Sequence, residues 1–344
     1  MKTTGSLLRR YALGTLHYAL PAMVFDRMPT DPAFVGIPTF LKLPHVETPQ
    51  QLEAERPDAV IVGAPFDMGT TNRPGARFGP RAIRQASNLG RAIYHLELEV
   101  QPLRVLRVFD YGDAAIVPSS IERSHEAIKQ KVAEVARLGA IPIVLGGDHS
   151  ITLPSATAVA DVVGRGKVGV VHFDAHADTA EDNWGVLLGH GTPMRRLIDS
   201  GAVPGRNFVQ VGLRGYWPPP HIIDWMREQG MRWHLMSEIE TRGFDAVLAE
   251  SVEQALDGPE AIYLSVDIDV LDPAFAPGTG TPEPGGLTSV QLLRAAREIV
   301  GRVRLVGMDV VEVAPAYDGP GQITAEVAHR VVLEALSALA KKRS

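Results

Sequence analysis

From Asp58 onward, short runs of β-branched and other apolar residues alternate with longer amphipathic stretches. This alternation is typical of parallel strands joined by helices, because each parallel strand needs a long connection back to the same end of the sheet. Continuous apolar runs also indicate strands that are buried on both faces. The pattern predicts a doubly wound α/β fold with a mainly parallel sheet of eight strands, at residues 59–63, 104–109, 141–145, 168–173, 208–211, 232–235, 261–266 and 305–310.

Helical periodicity is clearest at residues 124–138, 288–299 and 325–339, where apolar residues recur at intervals of three and four. A chain of 344 residues can form one large domain or two smaller ones. No linker or compositional break divides residues 58–340, so we predict a single domain over residues 58–344. Residues 1–57 carry several prolines and only weak periodicity. We expect them to form an extension that packs on this domain or on a neighbouring chain.

Composition excludes several classes of protein. The 34 basic and 40 acidic side chains give a net charge of −6, so we expect no nucleic-acid partner. The absence of cysteine excludes disulfides, thiolate metal ligands and cysteine nucleophiles. No run approaches the ~18 apolar residues of a membrane span. The apolar stretch near the start of the chain is interrupted by His17 and Pro21, so we expect neither a membrane partner nor a cleaved signal, and a cytoplasmic location.

Side chains that can bind a metal ion follow three of the predicted strands. They are His149 after the third strand, Asp174, His176 and Asp178 after the fourth, and Asp267 and Asp269 after the seventh. Alternate residues of an extended segment point the same way, and ligands of parallel sheets bind beyond the carboxyl ends of the strands. Each motif alone is more often a turn or a solvated strand end. Their coincidence at three strand ends predicts one functional site.

The residue types at this site indicate a pair of metal ions. Carboxylates held together in a low dielectric repel one another unless a cation or proton lies among them. Imidazole and carboxylate ligands without thiolate suit manganese, and nickel or cobalt also fits. Two divalent ions sharing bridging carboxylates would neutralise the four aspartates. Because a metal pair lowers the pKa of a bound water toward ~7, the predicted reaction class is metal-assisted hydrolysis.

Further motifs occur at residues 63–67, 73–80, 146–150, 174–179, 190–193, 265–273, 277–283 and 308–315. Together they resemble the ureohydrolase family, which includes agmatinases, guanidinobutyrases and arginases. The resemblance extends over most of residues 58–330 and is closest to the agmatinase and guanidinobutyrase members. It implies a three-layer αβα fold, a binuclear manganese cluster, sometimes nickel, and hydrolysis of a guanidinium to urea and an amine.

The same resemblance assigns roles to individual residues. One ion would be bound by His149, Asp174, Asp178 and Asp267, and the other by Asp174, His176, Asp267 and Asp269. Glu312 matches the family's glutamate that pairs with the guanidinium, and a carboxylate suits the planar fork of that cation. His190 matches a histidine thought to shuttle protons. Asp178 would also pass a proton to the departing nitrogen.

Substrate choice is expected to depend on residues 179–189. Arginases place serine and asparagine there to bind an amino-acid head group, whereas this loop has no serine and one asparagine. Agmatinase-like enzymes often carry an aromatic residue directly after the Asp-Thr pair, where this chain has Ala180. Trp184, with Trp217 from a later loop, is expected to line the pocket. These features favour a short or N-alkylated guanidine, or a biguanide.

Other interpretations of the substrate and the assembly stay open. Glu181 and Asp182 could bind an ammonium tail, and Arg195 and Arg196 could bind a carboxylate tail. The resemblance implies a homo-oligomer, a trimer or a hexamer. The chain could instead be the active or assembly subunit of a hetero-oligomer with a related chain, or could hydrolyse a formimino compound.

Overall fold

Eight parallel strands form one sheet in the computed structural model, which describes residues 33–90 and 93–344. The strands are β1 Ala59–Ala64, β2 Val108–Asp113, β3 Ile141–Gly146, β4 Val168–Phe173, β5 Phe208–Leu213, β6 Arg232–Leu235, β7 Ala261–Asp267 and β8 Leu305–Val311. Their order across the sheet is β2-β1-β3-β8-β7-β4-β5-β6, and every neighbouring pair is parallel. The predicted doubly wound α/β fold is confirmed.

Helices cover both faces of this sheet. They are α1 Pro49–Glu55, α2 Gly79–Gln85, α3 Pro102–Val105, α4 Ile121–Arg137, α5 Thr152–Val163, α6 Pro193–Asp199, α7 Pro220–Glu228, α8 Met236–Arg242, α9 Phe244–Leu256, α10 Ser289–Arg302 and α11 Ile323–Lys341. Helices α4 to α7 share one apolar core with the sheet, and α8 to α11 share the other. In β3, Ile143 and Leu145 belong to the second core while Val144 belongs to the first, as expected for alternating side chains. The result is a three-layer αβα arrangement.

One predicted strand boundary is wrong. The sequence placed the second strand at residues 104–109, but β2 begins at Val108 and Arg104 lies in the short helix α3. Pro102 occupies the first turn of that helix, where its fixed φ is suitable and its missing N–H is not needed. The N–H of Leu106 closes the turn by donating to Pro102 O at 2.8 Å. The ends of the other seven strands agree with the prediction to within two residues.

Side-chain caps mark the starts of some helices, among them α4 and α10. Helix α4 begins at Ile121, before the predicted residue 124, because the Ser120 hydroxyl accepts a hydrogen bond from Arg123 N at 3.3 Å. Thr288 caps α10 in a reciprocal pair with Gln291. Such side chains satisfy backbone N–H groups that have no partner within the helix.

Within the described part of the predicted extension, residues 33–57, the segment around Phe40 packs against the rest of the chain. Phe40 is buried, its N–H donates to Asp110 Oδ2 at 2.9 Å, and its ring stacks on His329 of α11 at 4.4 Å. The Asp110 carboxylate also binds Arg84 of α2 through two bonds of 2.9 Å. Residues 1–32 lie outside the described residues, and the division of the chain at residue 58 stays a prediction.

Within the described ranges, no helix combines the length and the apolar character needed to cross a membrane. The cytoplasmic location predicted from the sequence stays a prediction.

Candidate metal centre and active site

The candidate site lies at the carboxyl ends of the four central strands, β3, β8, β7 and β4. His149 follows β3, Glu312 follows β8, Asp267 ends β7 and Asp174 follows β4. Parallel strands end at the same edge of a sheet, so these side chains converge although they are far apart in the chain. All four are buried.

Tight turns keep alternate residues beyond these strands close together. The N–H of Asp269 donates to Asp267 Oδ1 at 2.9 Å, and the N–H of His176 donates to Asp174 Oδ1 at 2.5 Å. In each turn the aspartate bonds to the backbone two residues later, which is a common property of short acidic side chains. The spacing seen in the sequence thereby places two potential ligands at each strand end.

The backbone around the site is closely packed and partly strained. A Cβ on Gly147 would lie 1.7 Å from the carbonyl oxygen of Phe66, so only glycine fits there. The Gly147 carbonyl accepts a hydrogen bond from Glu312 N at 2.8 Å, which ties the ends of β3 and β8 together. Glu312 and Asp178 have φ values of 64° and 53°. Left-handed conformations of residues other than glycine are unfavourable and often occur at functional sites.

Four of the predicted ligands surround one position. His149 Nδ1 lies 3.0 Å from Asp174 Oδ2, from Asp178 Oδ2 and from Asp267 Oδ2. The same nitrogen is buried and has no hydrogen-bond partner. Zinc, a typical first-row ion, bonds to such ligands at about 2.0–2.2 Å, and ligand atoms at right angles around it are then about 3.0 Å apart. This arrangement therefore fits a divalent cation.

A second group of ligands adjoins the first. His176 Nδ1 lies 3.1 Å from Asp269 Oδ2 and 3.5 Å from Asp174 Oδ1. Asp174 thus contacts both histidines, as a bridging carboxylate would. Thr281 Oγ1 donates to Asp269 Oδ2 at 3.2 Å and helps to orient that carboxylate.

The electrostatics of the cluster also favour cations. Burial raises the pKa of Asp267 well above its ordinary value, and the charges of Asp269 and Asp174 raise it further. Burial likewise raises the pKa of Asp269. Positive charge placed among these oxygens would remove the repulsion and keep the carboxylates ionised. The residues present therefore fit the pair of divalent ions that the sequence predicted.

His172 is a further member of the cluster that the sequence did not identify. It is fully buried, and its Nε2 lies 2.8 Å from Asp174 Oδ2. Its Nδ1 accepts a hydrogen bond from Gln210 Nε2 at 2.8 Å, so the proton is on Nε2 and is donated to Asp174. Both nitrogens are occupied, which makes His172 a partner of a ligand and not a ligand. Its position two residues before Asp174 is the signal that could have identified it.

His190 and Glu312 form a hydrogen-bonded pair beside the ligand cluster. His190 Nδ1 lies 3.0 Å from Glu312 Oε1, which also accepts from His149 N at 2.8 Å. Glu312 Oε2 is buried and has no hydrogen-bond partner. A buried carboxylate oxygen without a donor favours binding of a cationic hydrogen-bond donor.

The other nitrogen of His190 contacts Thr71, which the sequence also did not identify. Nε2 lies 2.7 Å from Thr71 Oγ1 and accepts from Thr71 N at 3.2 Å. Burial lowers the pKa of His190, but the hydrogen bond and charge of Glu312 outweigh it and raise the pKa to about 9. The Thr71 hydroxyl can donate to Nε2 or accept from it, whereas the Thr71 N–H can donate only when Nε2 is unprotonated. No regular spacing links residues this far apart in the chain, and sequence patterns therefore could not have paired them.

A cavity of about 500 Å³ borders Thr71, His190 and three of the predicted metal ligands, and Glu312 is not among its described lining residues. Its lining consists of Thr71, His176, Asp178, Ala180, Asp182, Asn183, Trp184, His190, Gly191, Trp217, Asp267 and Thr281. Both tryptophans that the sequence singled out line it, with Trp184 86% exposed and Trp217 39% exposed. Of the described residues that line the cavity, none is a lysine or an arginine.

The two arginines considered for a carboxylate tail lie away from this lining. Arg195 stacks over the ring of Trp225 at 4.3 Å, and Arg196 Nη2 lies 3.1 Å from Asp199 Oδ2. Arg196 also donates to the backbone carbonyl of Glu181 at 3.1 Å. The geometry therefore gives no support to an anion-binding role for either arginine, and of the two loop acids only Asp182 lines the cavity.

Comparison with known proteins agrees with this geometry. The arginase family model matches residues 57–338. A guanidinobutyrase from Pseudomonas aeruginosa is 42% identical over 290 residues, which are 84% of this chain and 88% of that protein. A mitochondrial agmatinase from Gallus gallus is 42% identical over 307 residues, which are 89% of this chain and 86% of that protein. The solved structure of proclavaminate amidino hydrolase from Streptomyces clavuligerus matches with a TM-score of 0.82 and 38% identity, covering 91% of this chain and 100% of that one.

The fold and the cluster of histidines and aspartates define a metallohydrolase-like site. The chain belongs to the arginase family, and the resemblance to the ureohydrolases is confirmed. Its relatives are named as guanidino hydrolases, and it is accordingly a hydrolase of carbon–nitrogen bonds in guanidino compounds. Since a guanidinobutyrase and an agmatinase are equally identical to it, identity does not select the substituent on the guanidino group.

Proposed function

We propose that this protein binds two divalent cations and hydrolyses a small guanidino compound without an anionic tail to urea and an amine. Glu312 carries this proposal. Its buried Oε2 has no hydrogen-bond partner, and its other oxygen, Oε1, is hydrogen-bonded to His190 Nδ1. A guanidinium offers several N–H donors in a plane and keeps its charge at neutral pH.

Manganese is the proposed metal, with nickel as the alternative, because the ligand set combines imidazoles with carboxylates and contains no thiolate. The proposed ligands are His149, Asp174, His176, Asp178, Asp267 and Asp269. When bound, a pair of divalent ions supplies hydroxide near neutral pH and stabilises developing negative charge.

Glu312 orients the substrate and offsets its charge. A cationic guanidinium is repelled by nearby metal ions, and a carboxylate that accepts its N–H groups compensates for this repulsion. The side chain is held by His149 N–H and by His190, so it need not reorganise when the substrate arrives. Fixed orientation removes much of the entropy cost of bringing the reacting groups together.

Two groups handle the protons of the reaction. Hydrolysis adds water across a carbon–nitrogen bond, so the departing nitrogen must gain a proton. Asp178 is 6% exposed, lines the cavity and is the proposed carrier of this proton. His190 is proposed to carry protons between the site and solvent, since the Thr71 hydroxyl can hydrogen-bond to its Nε2 with or without a proton there.

The cavity lining supports a neutral substituent on the guanidino group. Trp184, Trp217 and Ala180 offer apolar surface, and Asp182, the lining acid that is not a proposed metal ligand, contributes negative charge. A carboxylate tail would meet this acid with no lysine or arginine among the described lining residues. Short or N-alkylated guanidines and biguanides are therefore the proposed substrates.

A matched pair of compounds tests whether the substrate carries an anionic tail. Urea release is measured with manganese or nickel for 4-guanidinobutyrate and for 4-guanidinobutanamide, which differ by one charge at nearly constant size. We expect a higher kcat/KM for the amide, and higher still for methylated guanidines or biguanides. The opposite order for the charged and uncharged compounds would reject the proposed tail while leaving guanidine hydrolysis intact.

The same assay tests the reaction class. Agmatine, arginine and guanidine extend the panel, and a formimino compound is included with formamide as its expected product. Release of formamide in place of urea would favour the formimino reaction. No turnover of any guanidine by metal-loaded protein would contradict the proposed activity for this chain on its own.

A further inference from the structure

We propose that Asp309 is a positioning residue for the metal site and acts on His149 through Ser265. Asp309 lies within β8 and Ser265 within β7, and the two are direct partners in the register of these strands. The inference rests on the metal site proposed above. It concerns side chains that bind neither metal nor substrate.

A continuous chain of hydrogen bonds joins the three residues. His149 Nε2 lies 3.0 Å from Ser265 Oγ, and Ser265 Oγ donates to Asp309 Oδ1 at 2.7 Å. The second oxygen of Asp309 accepts from Thr152 Oγ1 at 2.7 Å and from Tyr263 Oη at 2.8 Å. All five side chains are buried at 0% exposure.

The direction of these bonds follows from the opposite side of the imidazole. His149 Nδ1 faces three carboxylate oxygens and must carry a lone pair to bind a cation, so the ring proton is on Nε2. Ser265 Oγ then accepts a hydrogen bond from Nε2–H and donates its own hydroxyl hydrogen to Asp309 Oδ1. A carboxylate accepts at both oxygens, which is what the three hydroxyl donors around it require.

An amide at position 309 could not replace this function. Asparagine would present N–H donors to at least one of the hydroxyl groups, so one bond would be lost or reversed. If Ser265 turned to donate to the imidazole, Nε2 would have to carry the lone pair and Nδ1 the proton. The tautomer that cannot bind the cation would then be favoured. Partners of this kind typically change metal affinity about 10- to 100-fold.

A purely structural role for Asp309 is the competing explanation. Asp309 also links β7, β8 and α5 through Tyr263, Ser265 and Thr152, and its loss could weaken packing without affecting the metal. The two roles differ in one observable. A structural role lowers the melting temperature equally with and without metal, whereas a positioning role reduces the gain in melting temperature that metal produces.

The experiment titrates full-length metal-free protein with Mn²⁺ and measures affinity by calorimetry and the metal-dependent shift in melting temperature. We expect Asp309→Asn to weaken one of the two binding events about 10- to 100-fold. Ser265→Ala breaks the same path, so it should cause a similar loss, and the double variant should lose little more. Tyr263→Phe is the matched control, because it removes one donor to Asp309 but leaves the path to His149 intact.

The outcomes separate this inference from the proposed function. If Asp309→Asn and Ser265→Ala bind Mn²⁺ like the unsubstituted protein, or if Tyr263→Phe weakens binding equally, Asp309 does not position His149. If Asp309→Asn does not fold, Ser265→Ala alone decides, since it removes one small hydroxyl group. If the unsubstituted protein binds no divalent ion, the metal site itself is wrong and the inference falls with it.

Discussion

At the scale of single residues, Glu312 connects the ligand His149, the histidine His190 and the proposed position of the guanidinium. One of its oxygens accepts from His149 N–H and lies against His190, while the other has no partner. Its left-handed backbone conformation, with φ of 64°, is kept by the bond from its N–H to Gly147 O. This side chain is therefore the most informative one to change without disturbing the metal ligands.

We expect Glu312→Gln to lower kcat/KM about 10- to 100-fold, which corresponds to the roughly 1.5–3 kcal/mol of a hydrogen bond to a charged group. The amide keeps the size of the side chain but cannot neutralise a guanidinium. Metal content should be unchanged, because Glu312 is not among the proposed ligands. Kinetics and elemental analysis on one preparation check both expectations. Loss of metal in this variant would show that the role of Glu312 is assigned wrongly.

Asp267→Asn should behave differently. Asp267 Oδ2 is one of the three oxygens around His149 Nδ1, and neutralising it removes a charge that the cations need. We expect a fall in metal content as well as in rate, with partial recovery of activity at raised manganese concentration. Elemental analysis of the variant beside Glu312→Gln provides the comparison. Full metal occupancy in Asp267→Asn would remove it from the set of ligands.

Spacing predicted much of the site at this scale, and its limit has a physical reason. The sequence grouped Asp174, His176 and Asp178 by the period of two of an extended segment. The chain turns beyond β4 instead, and these turns bring the three residues together, with Asp178 left-handed at a φ of 53°. Thr71 and His190 meet only because two loops pack against each other, and no local pattern encodes that contact. Asp309 lies inside a strand, where a buried polar residue resembles any other interruption of an apolar run.

At the scale of elements, strands were predicted well because burial on both faces leaves long apolar runs. The exception, Arg104, shows what such runs cannot reveal. Leu103, Val105 and Leu106 are apolar enough for a strand. Pro102 nevertheless begins a helical turn that contains Leu103 and Val105. Side-chain caps mark the starts of α1, α4 and α10, as Ser120 does for α4.

Helix α11 provides a prediction about pH. His329 stacks on Phe40, and burial together with the charge of Arg330 lowers its pKa to about 3. The unfolded chain takes up this proton near its ordinary pKa of about 6.5, whereas the folded chain does not. The contribution to stability is therefore complete above about pH 6.5 and is lost as the pH falls toward 3.

His329→Phe should remove this dependence while keeping a ring against Phe40. Between pH 7.5 and pH 5.5, the free energy of unfolding of the metal-free protein should fall about 1.4 kcal/mol further in the unsubstituted chain than in the variant. Guanidinium unfolding at both pH values measures the difference. Parallel losses in the two proteins would mean that His329 is protonated when folded.

At the scale of the whole molecule, the three-layer fold brings the six proposed ligand residues from three strand ends to one edge of the sheet. The continuous alternation of strands and helices was sufficient to predict this architecture. The arrangement of loops around the cavity was not predictable, because it depends on contacts among segments without regular periodicity. Trp184 and Trp217 could be proposed as lining residues, but the absence of a lysine or arginine among the described lining residues emerged only from the structure.

Assembly is a prediction at this scale. Phe34, Trp184 and Tyr216 are exposed by 89%, 86% and 103%, and large aromatic surfaces commonly mark contacts between proteins. We expect a homo-oligomer, a trimer or a hexamer, in native mass spectrometry of the purified chain. A monomer that becomes active only with a related chain would favour the hetero-oligomer instead.

We propose above all that the buried aspartates and histidines bind two divalent cations, and that the protein with both ions bound hydrolyses a guanidino substrate. Stepwise addition of Mn²⁺ to metal-free protein, with bound metal and urea release measured on each sample, tests it most directly. We predict that urea release with a methylated guanidine rises with bound metal and reaches its maximum near two ions per chain. Urea release by protein free of metal, or saturation with two ions without hydrolysis of any guanidine, would contradict the account.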